Sequence, residues 1–294
     1  MGPEGVSRRH VVFNEAQREK YLKPLIAAET TCCFMLSEPG AGSDAQNIST
    51  KAEKRGDKWV LNGVKHFISN GHKADWGVVF ALNDADKRAR GGISAFIIER
   101  DQWKVGRIHE GMAGFEGQAE VVLEDVEVSP ENVVGREGYG FAEAMRFLGA
   151  GRLHIAAGAV GVAQFLLNMG ADYAGQRQSF GKPIASYQGI QWMLADSATE
   201  IYAARNMIYH CAWLIDQGKD AAKEMSMCKL FATEMVNQVC DRVLQIHGGM
   251  GWMKETRTGG FYRSLRVLRI VEGTSEIQRM MIARAVLGEV ARRS

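Results

Sequence analysis

The sequence predicts a multi-domain α+β protein with a short N-terminal helical segment, a middle antiparallel β-barrel domain and a C-terminal antiparallel four-helix bundle. Three observations predict it. The chain has 294 residues, enough for about two domains. Short runs rich in β-branched and aromatic residues are confined to residues 31–135. Long helical patterns are confined to residues 136–294, so we place the domains at 1–30, 31–135 and 136–294.

Residue patterns distinguish the N-terminal segment from the middle domain. Residues 12–30 (VFNEAQREKYLKPLIAAET) have the pattern of a short amphipathic helix that ends near Pro24. The strand patterns are bounded by Gly, Asn and Asp: TCCFML, KWVLNG, WGVVFAL, GISAFIIE and AEVVLEDVEV. Several short strands at this spacing are typical of a compact β-barrel or sandwich.

Four long helical patterns follow, at residues 141–170, 189–217, 221–247 and 275–293. In the second, apolar residues recur in steps of three and four, and Gly218 stands where a helix commonly ends. Ser275 and Gln278 have the spacing of a capping box, which predicts that the last helix begins there. Four long helices with short connections form an antiparallel bundle.

The composition excludes several classes of function. The net charge is +2, from 36 basic and 34 acidic residues, so no electrostatic case exists for binding nucleic acid. No uninterrupted apolar run approaches the roughly 18 residues of a membrane span, and residues 1–10 lack the apolar core of a secretory signal. The five cysteines form no C-x-x-C pair, which favours a reducing intracellular compartment and predicts no metal site.

The first glycine-rich segment is SEPGAGSD, residues 37–44. Gly40, Gly42 and Ala45 fit the dinucleotide fingerprint G-x-G-x-x-A, but that fingerprint must open a helix. Residues 48–54 look extended, so we reject the dinucleotide interpretation. The plain alternative is an ordinary glycine-rich turn.

Two further segments carry residues suited to a planar or phosphorylated ligand. In KHFISNG, Phe67 and Ser69 project to the same side of a strand and can stack on and hydrogen-bond a heterocycle. The plain interpretation is a strand between two hairpin turns. In RQSFGKPI, Arg177 can bind a pyrophosphate through parallel hydrogen bonds, although most arginines are simply solvated.

The last two segments lie near the C-terminus. QIHGGMG, residues 245–251, has three glycines in four positions, which permits a close approach of the backbone to a ligand. A helix end would explain only one of them. In VEGTSEIQR, Glu272 follows the apolar residues Ile270 and Val271, so partial burial would raise its pKa and make it a base near neutral pH. The plain interpretation is a surface glutamate.

Together, SEPGAGSD, KHFISNG, RQSFGKPI, QIHGGMG and VEGTSEIQR resemble the acyl-CoA dehydrogenase family in order and spacing. The resemblance implies FAD as cofactor, a middle β domain and a C-terminal four-helix bundle. Family members normally open with an all-helical domain. The resemblance therefore implies that residues 1–30 are its remnant, in a fragment, a truncated gene product or a form completed by a partner.

The resemblance also assigns site residues. Glu272 is implied as the catalytic base. The implied substrate-binding residues are Ser43, Gly149, Arg152 and Gly273. Arg177 and residues 245–249 would reach the FAD of a neighbouring subunit. The implied FAD-binding residues are Phe34, Leu36, Ser37, Gly42, Ser43, Phe67, Ile68, Ser69, Arg177, Phe180, Gln188, Gln245, Ile246, His247, Gly248, Gly249, Thr274 and Glu276.

Three positions depart from the pattern of the family. Phe67 stands where members often have Trp, Gly149 where several have Asp, and Val271 where some have Tyr. The last two changes open space for the acyl group. The LGAGRLH run, residues 148–154, is closer to members that act on longer or modified acyl groups.

The reaction that the resemblance implies is α,β-dehydrogenation of an acyl-CoA thioester to the trans-2-enoyl-CoA, as in fatty-acid β-oxidation. Electrons would pass to an electron-transferring flavoprotein, and the enzyme would be a homodimer or homotetramer. It would lie in a bacterial cytoplasm, or in the mitochondrial matrix or peroxisome of a eukaryote. Two alternatives stay open: a flavin oxidase or monooxygenase on this scaffold, and a non-catalytic or partner-dependent subunit.

Overall fold

The computed structural model describes residues 12–114 and 116–291. The chain divides into two compact units, Met1–Phe147 and Leu148–Ser294, and each is described by itself. The predicted absence of a signal at residues 1–10 and the predicted last residues of the final helix, 292–293, lie outside the described residues.

The first unit begins with a short helix in three parts: α1 (Glu15–Gln17), a π-helical turn (Arg18–Leu22) and α2 (Lys23–Ile26). Asn14 caps its start by accepting a hydrogen bond from the Gln17 backbone N–H at 2.9 Å. The helix continues two residues past the predicted end at Pro24. Pro24 comes two residues after the π-helical turn, where the regular hydrogen-bond ladder of the α-helix is already interrupted.

The rest of this unit is a seven-stranded sheet. Its strands are β1 (Cys32–Met35), β2 (Lys51–Arg55), β3 (Lys58–Ser69), β4 (Trp76–Leu82), β5 (Ile93–Glu99), β6 (Lys104–Glu110) and β7 (Glu116–Val128). Their order is β1-β4-β2-β3-β7-β6, with β5 also paired to β4. The predicted β domain is confirmed. Its pairing is mixed, because β1 and β2 each run parallel to β4.

The core of the sheet is apolar and fully buried. Met35, Leu61, Val79, Phe96 and Leu123 come from five different strands and are at most 2% exposed. Burial of one such side chain stabilises a fold by about 1.5–3 kcal/mol. β4 and β5 are buried almost throughout, whereas along β7 the buried Ala119, Val121 and Leu123 alternate with more exposed residues, which fixes the register of that strand.

The second unit is helical. Its long helices are α3 (Gly140–Gln176), which begins in the first unit, α4 (Gln188–Asp216), α5 (Ala222–His247) and α8 (Ser275–Ala291). A small hairpin, β8 (Gln178–Ser179) and β9 (Lys182–Pro183), joins α3 to α4. Two short helices, α6 (Gly249–Trp252) and α7 (Thr258–Leu265), lie between α5 and α8. The predicted C-terminal helical domain is confirmed.

The core of the helical unit lies between α3, α4 and α5. Leu166, Val236 and Val239 are among its buried members, as are Ile201, Ala204 and Ile208 from the apolar stripe predicted on α4. By length and composition alone α3 could cross a membrane, a criterion that core helices also meet. Among the described residues, all five cysteines are buried free thiols.

Candidate functional site

The β unit holds an aromatic side chain in an exposed and strained position. The pairing of β3 with β7 shifts register between Lys65 and Ile68, and Phe67 in this bulge has φ +56°. A bulky residue in the left-handed region is rare and costs of order 1–3 kcal/mol. Phe67 is 62% exposed, and its ring contacts His66 and His109 at centroid distances of 4.1 and 5.3 Å. The bulge thus leaves an aromatic ring exposed on the surface of the β unit.

The residues beside Phe67 alternate across the strand. Ser69 is exposed on the same side, as predicted, whereas Ile68 is 2% exposed and belongs to the core. At Ile68, therefore, the backbone but not the side chain is free to contact a ligand.

The glycine-rich loop, residues 37–44, is tied to this strand. The His66 backbone N–H donates to the Ser37 carbonyl at 2.8 Å. The Lys65 ammonium donates to Glu38 Oε1 at 2.7 Å, and also to the carbonyls of Leu36 and Phe80. Two segments that the sequence presents separately are thus joined at β3, an interior strand of the sheet.

Glu38 and Lys65 form a buried ion pair that sequence reasoning missed. Their side chains are 2% and 0% exposed. Burial opposes ionisation of Glu38, but Lys65 and hydrogen bonds from Thr50 and Ser49 together lower its pKa to about 2. Burial lowers the pKa of Lys65 to about 8 against the attraction of Glu38. The feature of the sequence that could have revealed this ion pair is a lysine inside an apolar strand.

The remaining residues predicted to line FAD in this unit differ in exposure. Gly42 and Ser43 are exposed, and no atom lies within 4 Å of a Cβ built on Gly42. Ser37 is half-buried and Leu36 is buried. Phe34 is half-buried, with its ring against the rings of Phe80 and Phe147 at 4.8 and 5.0 Å.

In the helical unit, the segment RQSFGKPI forms the β8–β9 hairpin. Phe180 and Gly181 occupy its tip with φ +49° and +79°. The Phe180 side chain is 95% exposed, so a strained hairpin presents an unpacked aromatic ring. Arg177 and Gln188 lie exposed on either side of the hairpin. An apolar ring held in this way has the properties of a contact residue for a partner.

The QIHGGMG segment ends α5. Gln245, Gly248 and Gly249 are exposed, whereas Ile246 and His247 are buried. The His247 ring stacks on Tyr173 at 4.2 Å, and its Nδ1 lies 2.7 Å from the Val243 carbonyl. The side chains of Ile246 and His247 are therefore structural, and any ligand contact here falls to the other three residues.

Fold geometry explains two of the glycines in that segment. Gly248 ends α5 with φ +56°. A Cβ on Gly251 would lie 2.5 Å from the Leu244 carbonyl oxygen, so a side chain cannot fit there. Gly248 and Gly249 both have open space around them, so a ligand can approach the backbone at either position.

Glu272 lies on a left-handed turn just before α8. Its φ is +55°, and that of Gly273 is +85°. The Gln278 side-chain amide donates to the carbonyls of both residues at 3.0 Å. The Lys229 ammonium donates to the Gly273 carbonyl at 2.8 Å, and Arg152 Nε lies 3.5 Å from the Glu272 carbonyl. Donors from three helices thus hold this turn.

The predicted capping box of Ser275 and Gln278 is wrong. Thr274 caps α8, because its hydroxyl accepts the Ile277 backbone N–H at 3.3 Å. The Ser275 hydroxyl donates instead to Glu234 at 2.6 Å. The buried Gln278 amide is used to satisfy the carbonyls of the Glu272 turn, so it is not available to the start of its own helix.

The Glu272 carboxyl lies against the backbone of α3. A Cβ on Gly151 would lie 2.9 Å from Glu272 Oε2, so the carboxyl occupies the space that a side chain would fill. Within the described residues, this buried oxygen has no hydrogen-bond partner. Burial raises the pKa of Glu272 to about 7, while Arg152 and Lys229 oppose that rise.

The other predicted residues of the helical unit lie on α3 and α8. Arg152 is 6% exposed and Gly149 is buried, with Met225 3.7 Å from the place of its missing Cβ. Glu276 is exposed on α8. Lys229 was missed by sequence reasoning because a lysine within a helix pattern is normally solvated.

Comparison with known proteins decides the family. The model of the acyl-CoA dehydrogenase C-terminal domain matches residues 138–287, and that of the middle domain matches residues 33–126. The chain is 44% identical to the caffeyl-CoA reductase-Etf complex subunit CarC of Acetobacterium woodii, over 93% of this chain and 73% of that protein. The chain belongs to the acyl-CoA dehydrogenase family.

Two further similar proteins extend the comparison. The chain is 42% identical to a 3-(aryl)acrylate reductase of Clostridium sporogenes, over 94% of this chain and 74% of that protein. Its fold matches the solved butyryl-CoA dehydrogenase of Megasphaera elsdenii with a TM-score of 0.90 at 38% identity, over 93% of this chain and 72% of that one. The predicted family and enzyme class are confirmed.

Proposed function

We propose that the protein is an FAD-dependent enzyme that removes two hydrogens across the α and β carbons of an acyl-CoA thioester, forming the trans-2-enoyl-CoA. The observation that carries the proposal is the Glu272 carboxyl. It has a buried oxygen without a partner and a pKa raised to about 7, and it lies on a turn fixed by donors from three helices. A carboxyl with this pKa can accept and return a proton near neutral pH.

The residues of the β unit fit FAD. The exposed Phe67 ring offers a stacking surface, the Ser69 hydroxyl lies on the same side, and Gly42 leaves its backbone open to a ligand. The exposed Phe180 and Arg177 in the helical unit fit the FAD of a second copy of this chain. When bound, FAD supplies an acceptor for the β-hydrogen as hydride.

The protein's own part of the reaction is positioning and proton transfer. Glu272 would take the α-proton with its carboxylate, whose buried Oε2 accepts no hydrogen bond from the described residues. Arg152 favours the carboxylate form that must exist before the proton moves. Thioester α-protons are weakly acidic, so the Glu272 backbone N–H is the proposed donor to the thioester oxygen.

The reverse direction is a second candidate. CarC and the 3-(aryl)acrylate reductase are named as reductases. A base with a pKa near 7 serves both directions, because the group that takes the α-proton in one direction returns it in the other. The name of CarC also supports an electron-transferring flavoprotein as partner, whose reduction state would then set the direction.

The test begins with an absorbance spectrum of the protein purified with added FAD. A panel of acyl-CoA thioesters is then added without oxygen, and aryl-substituted 2-enoyl-CoA thioesters are added to the reduced protein. The proposal expects a bound yellow flavin that is bleached by an acyl-CoA or reoxidised by an enoyl-CoA. A colourless protein would favour the non-catalytic alternative. Rapid reoxidation of the reduced flavin when oxygen is afterwards admitted would favour an oxidase or monooxygenase.

A further inference from the structure

Lys229 is a fully buried lysine on α5, and the proposed reaction does not require it by itself. Its side chain is 0% exposed. Replacing a buried ion pair with apolar residues of similar volume is often neutral or stabilising, so buried charge is weak evidence of a stabilising role. Stability of the helical core alone therefore does not account for an ammonium group at this position.

The contacts of Lys229 lead to the turn that carries Glu272. The ammonium donates to the Gly273 carbonyl at 2.8 Å, and the Gln278 amide donates to the same oxygen at 3.0 Å. Lys229 comes from α5 and Gln278 from α8, so the carbonyl is held by two different helices. Because Gly273 follows Glu272, fixing this carbonyl fixes the backbone from which the carboxyl extends.

Several charged groups face this turn. The other acidic ones are paired or exposed, so Glu272 is the acidic neighbour of Lys229. Glu234 on α5 already pairs with Arg269 at 2.9 Å and accepts the Ser275 hydroxyl. Glu276 on α8 is exposed, with Arg279 at 4.0 Å. From α3, Arg152 faces the turn as a second buried cation.

We propose that Lys229 is a positioning residue for the Glu272 base, which it serves by holding the Gly273 carbonyl and by stabilising the Glu272 carboxylate with its charge. The inference rests on the proposed function of Glu272. Burial lowers the pKa of Lys229 to about 8, and the neighbouring Glu272 opposes that fall. Burial raises the pKa of Glu272 to about 7, and Lys229 in turn opposes that rise.

The test is the pH midpoint of the Glu272 carboxyl, measured by its protonated-carboxyl infrared band and identified with Glu272→Gln. In Lys229→Met the midpoint should rise by about one pH unit, because an adjacent positive charge is lost. Lys229→Gln keeps a donor for the Gly273 carbonyl without the charge, so it should show the same rise, and it decides the matter if Lys229→Met does not fold. Lys223→Met is the matched control. Lys223 lies on the same helix but pairs with Glu289 at 2.6 Å, so the midpoint should stay unchanged.

Activity gives a second readout. Flavin reduction by an acyl-CoA in Lys229→Gln should fall about fivefold at pH 7 and recover by about pH 9, since only about a tenth of the carboxyl stays ionised at pH 7. A purely structural lysine would lower the thermal midpoint and leave the pH midpoint in place, which overturns the inference. A different pair of results would overturn the base assignment instead. In that case the Lys229 variants shift the carboxyl midpoint, but Glu272→Gln still reduces flavin at the wild-type rate.

Discussion

Glu272 occupies a backbone conformation that non-glycine residues rarely adopt, with φ +55°. Such a conformation costs of order 1–3 kcal/mol and persists where the surroundings hold it. Here the surroundings are donors from Lys229, Gln278 and Arg152 to the carbonyls of the turn. The strain is thus located at the residue that we propose to move the proton.

At this scale Gly151→Ala gives a sharp prediction. The added Cβ would lie 2.9–3.2 Å from the Glu272 carboxyl, which is the flexible end of its side chain and would be displaced. We expect flavin reduction to slow by about tenfold or more, with no loss of thermal stability, because alanine favours a helix over glycine by about 1 kcal/mol. Stopped-flow absorbance and thermal unfolding measure the two effects.

Gly158→Ala on the same helix is the control. No atom lies within 4 Å of a Cβ at Gly158. This variant should gain about 0.5–1 kcal/mol of stability and reduce flavin at the wild-type rate. If Gly151→Ala also keeps the wild-type rate, the position of the carboxyl against α3 does not matter for the reaction.

Sequence reasoning found Glu272 but not the residues that support it. The E-G-T string and the apolar residues before it can be recognised in the amino-acid sequence alone. Lys229 and Gln278 are not, because their roles depend on contacts 44 and 5 residues away along the chain. Gln278 was assigned to a capping box because it fits the spacing, and packing against the turn overrode that local preference.

At the scale of elements, the Glu38–Lys65 pair joins the glycine-rich loop to β3. Removing one partner leaves a buried charge without its counterion, so Glu38→Gln should destabilise the β unit by about 3–5 kcal/mol. The double variant Glu38→Gln/Lys65→Met should recover much of that loss. Urea unfolding monitored by tryptophan fluorescence measures each value, and additive losses would contradict a direct pairing.

The same pair predicts an acid-sensitive element. The pKa of Glu38 is lowered from 4.5 to about 2, so its contribution is fully present above pH 4.5 and is lost as the pH falls toward 2. Unfolding free energies between pH 5 and pH 3 should therefore fall more steeply for the wild type than for Glu38→Gln. Parallel curves for the two proteins would show that this carboxyl does not carry the acid dependence.

The β8–β9 hairpin gives the third element-scale test. Phe180→Asn keeps a residue that tolerates the left-handed conformation and removes the exposed ring. If Phe180 contacts FAD of a second copy, the variant should release FAD more readily while the FAD-free protein keeps its thermal midpoint. Retention of FAD at the wild-type affinity, measured by flavin fluorescence on dilution, would exclude Phe180 from the cofactor site.

At the scale of the whole molecule, the order of a β domain and a helical domain was predictable because the period of the apolar residues changes once along the chain. The parallel pairing of β1 with β4 was not, since strand order depends on contacts that period does not encode. The short helices α6 and α7 were also missed, because glycines and charged residues interrupt their patterns.

Assembly provides the prediction at this scale. Arg177, Phe180 and the exposed residues of the QIHGGMG segment are proposed to serve the FAD of a second copy, so FAD affinity should rise with association of the chain. Sedimentation velocity across a concentration series, with flavin absorbance as the signal, should place FAD in a dimer or a larger homo-oligomer. A monomer that carries a full complement of FAD would contradict this arrangement.

The central claim is that Glu272 takes the α-proton, and the most direct measurement is the rate of flavin reduction by an acyl-CoA in Glu272→Gln. The substitution keeps size and removes the base, so the rate should fall by about 10²–10⁴, while FAD content and thermal midpoint stay near those of the wild type. In the wild type the rate should rise with pH through about 7, as the carboxyl loses its proton. If Glu272→Gln reduces the flavin at the wild-type rate, another residue is the base and the proposed mechanism is wrong.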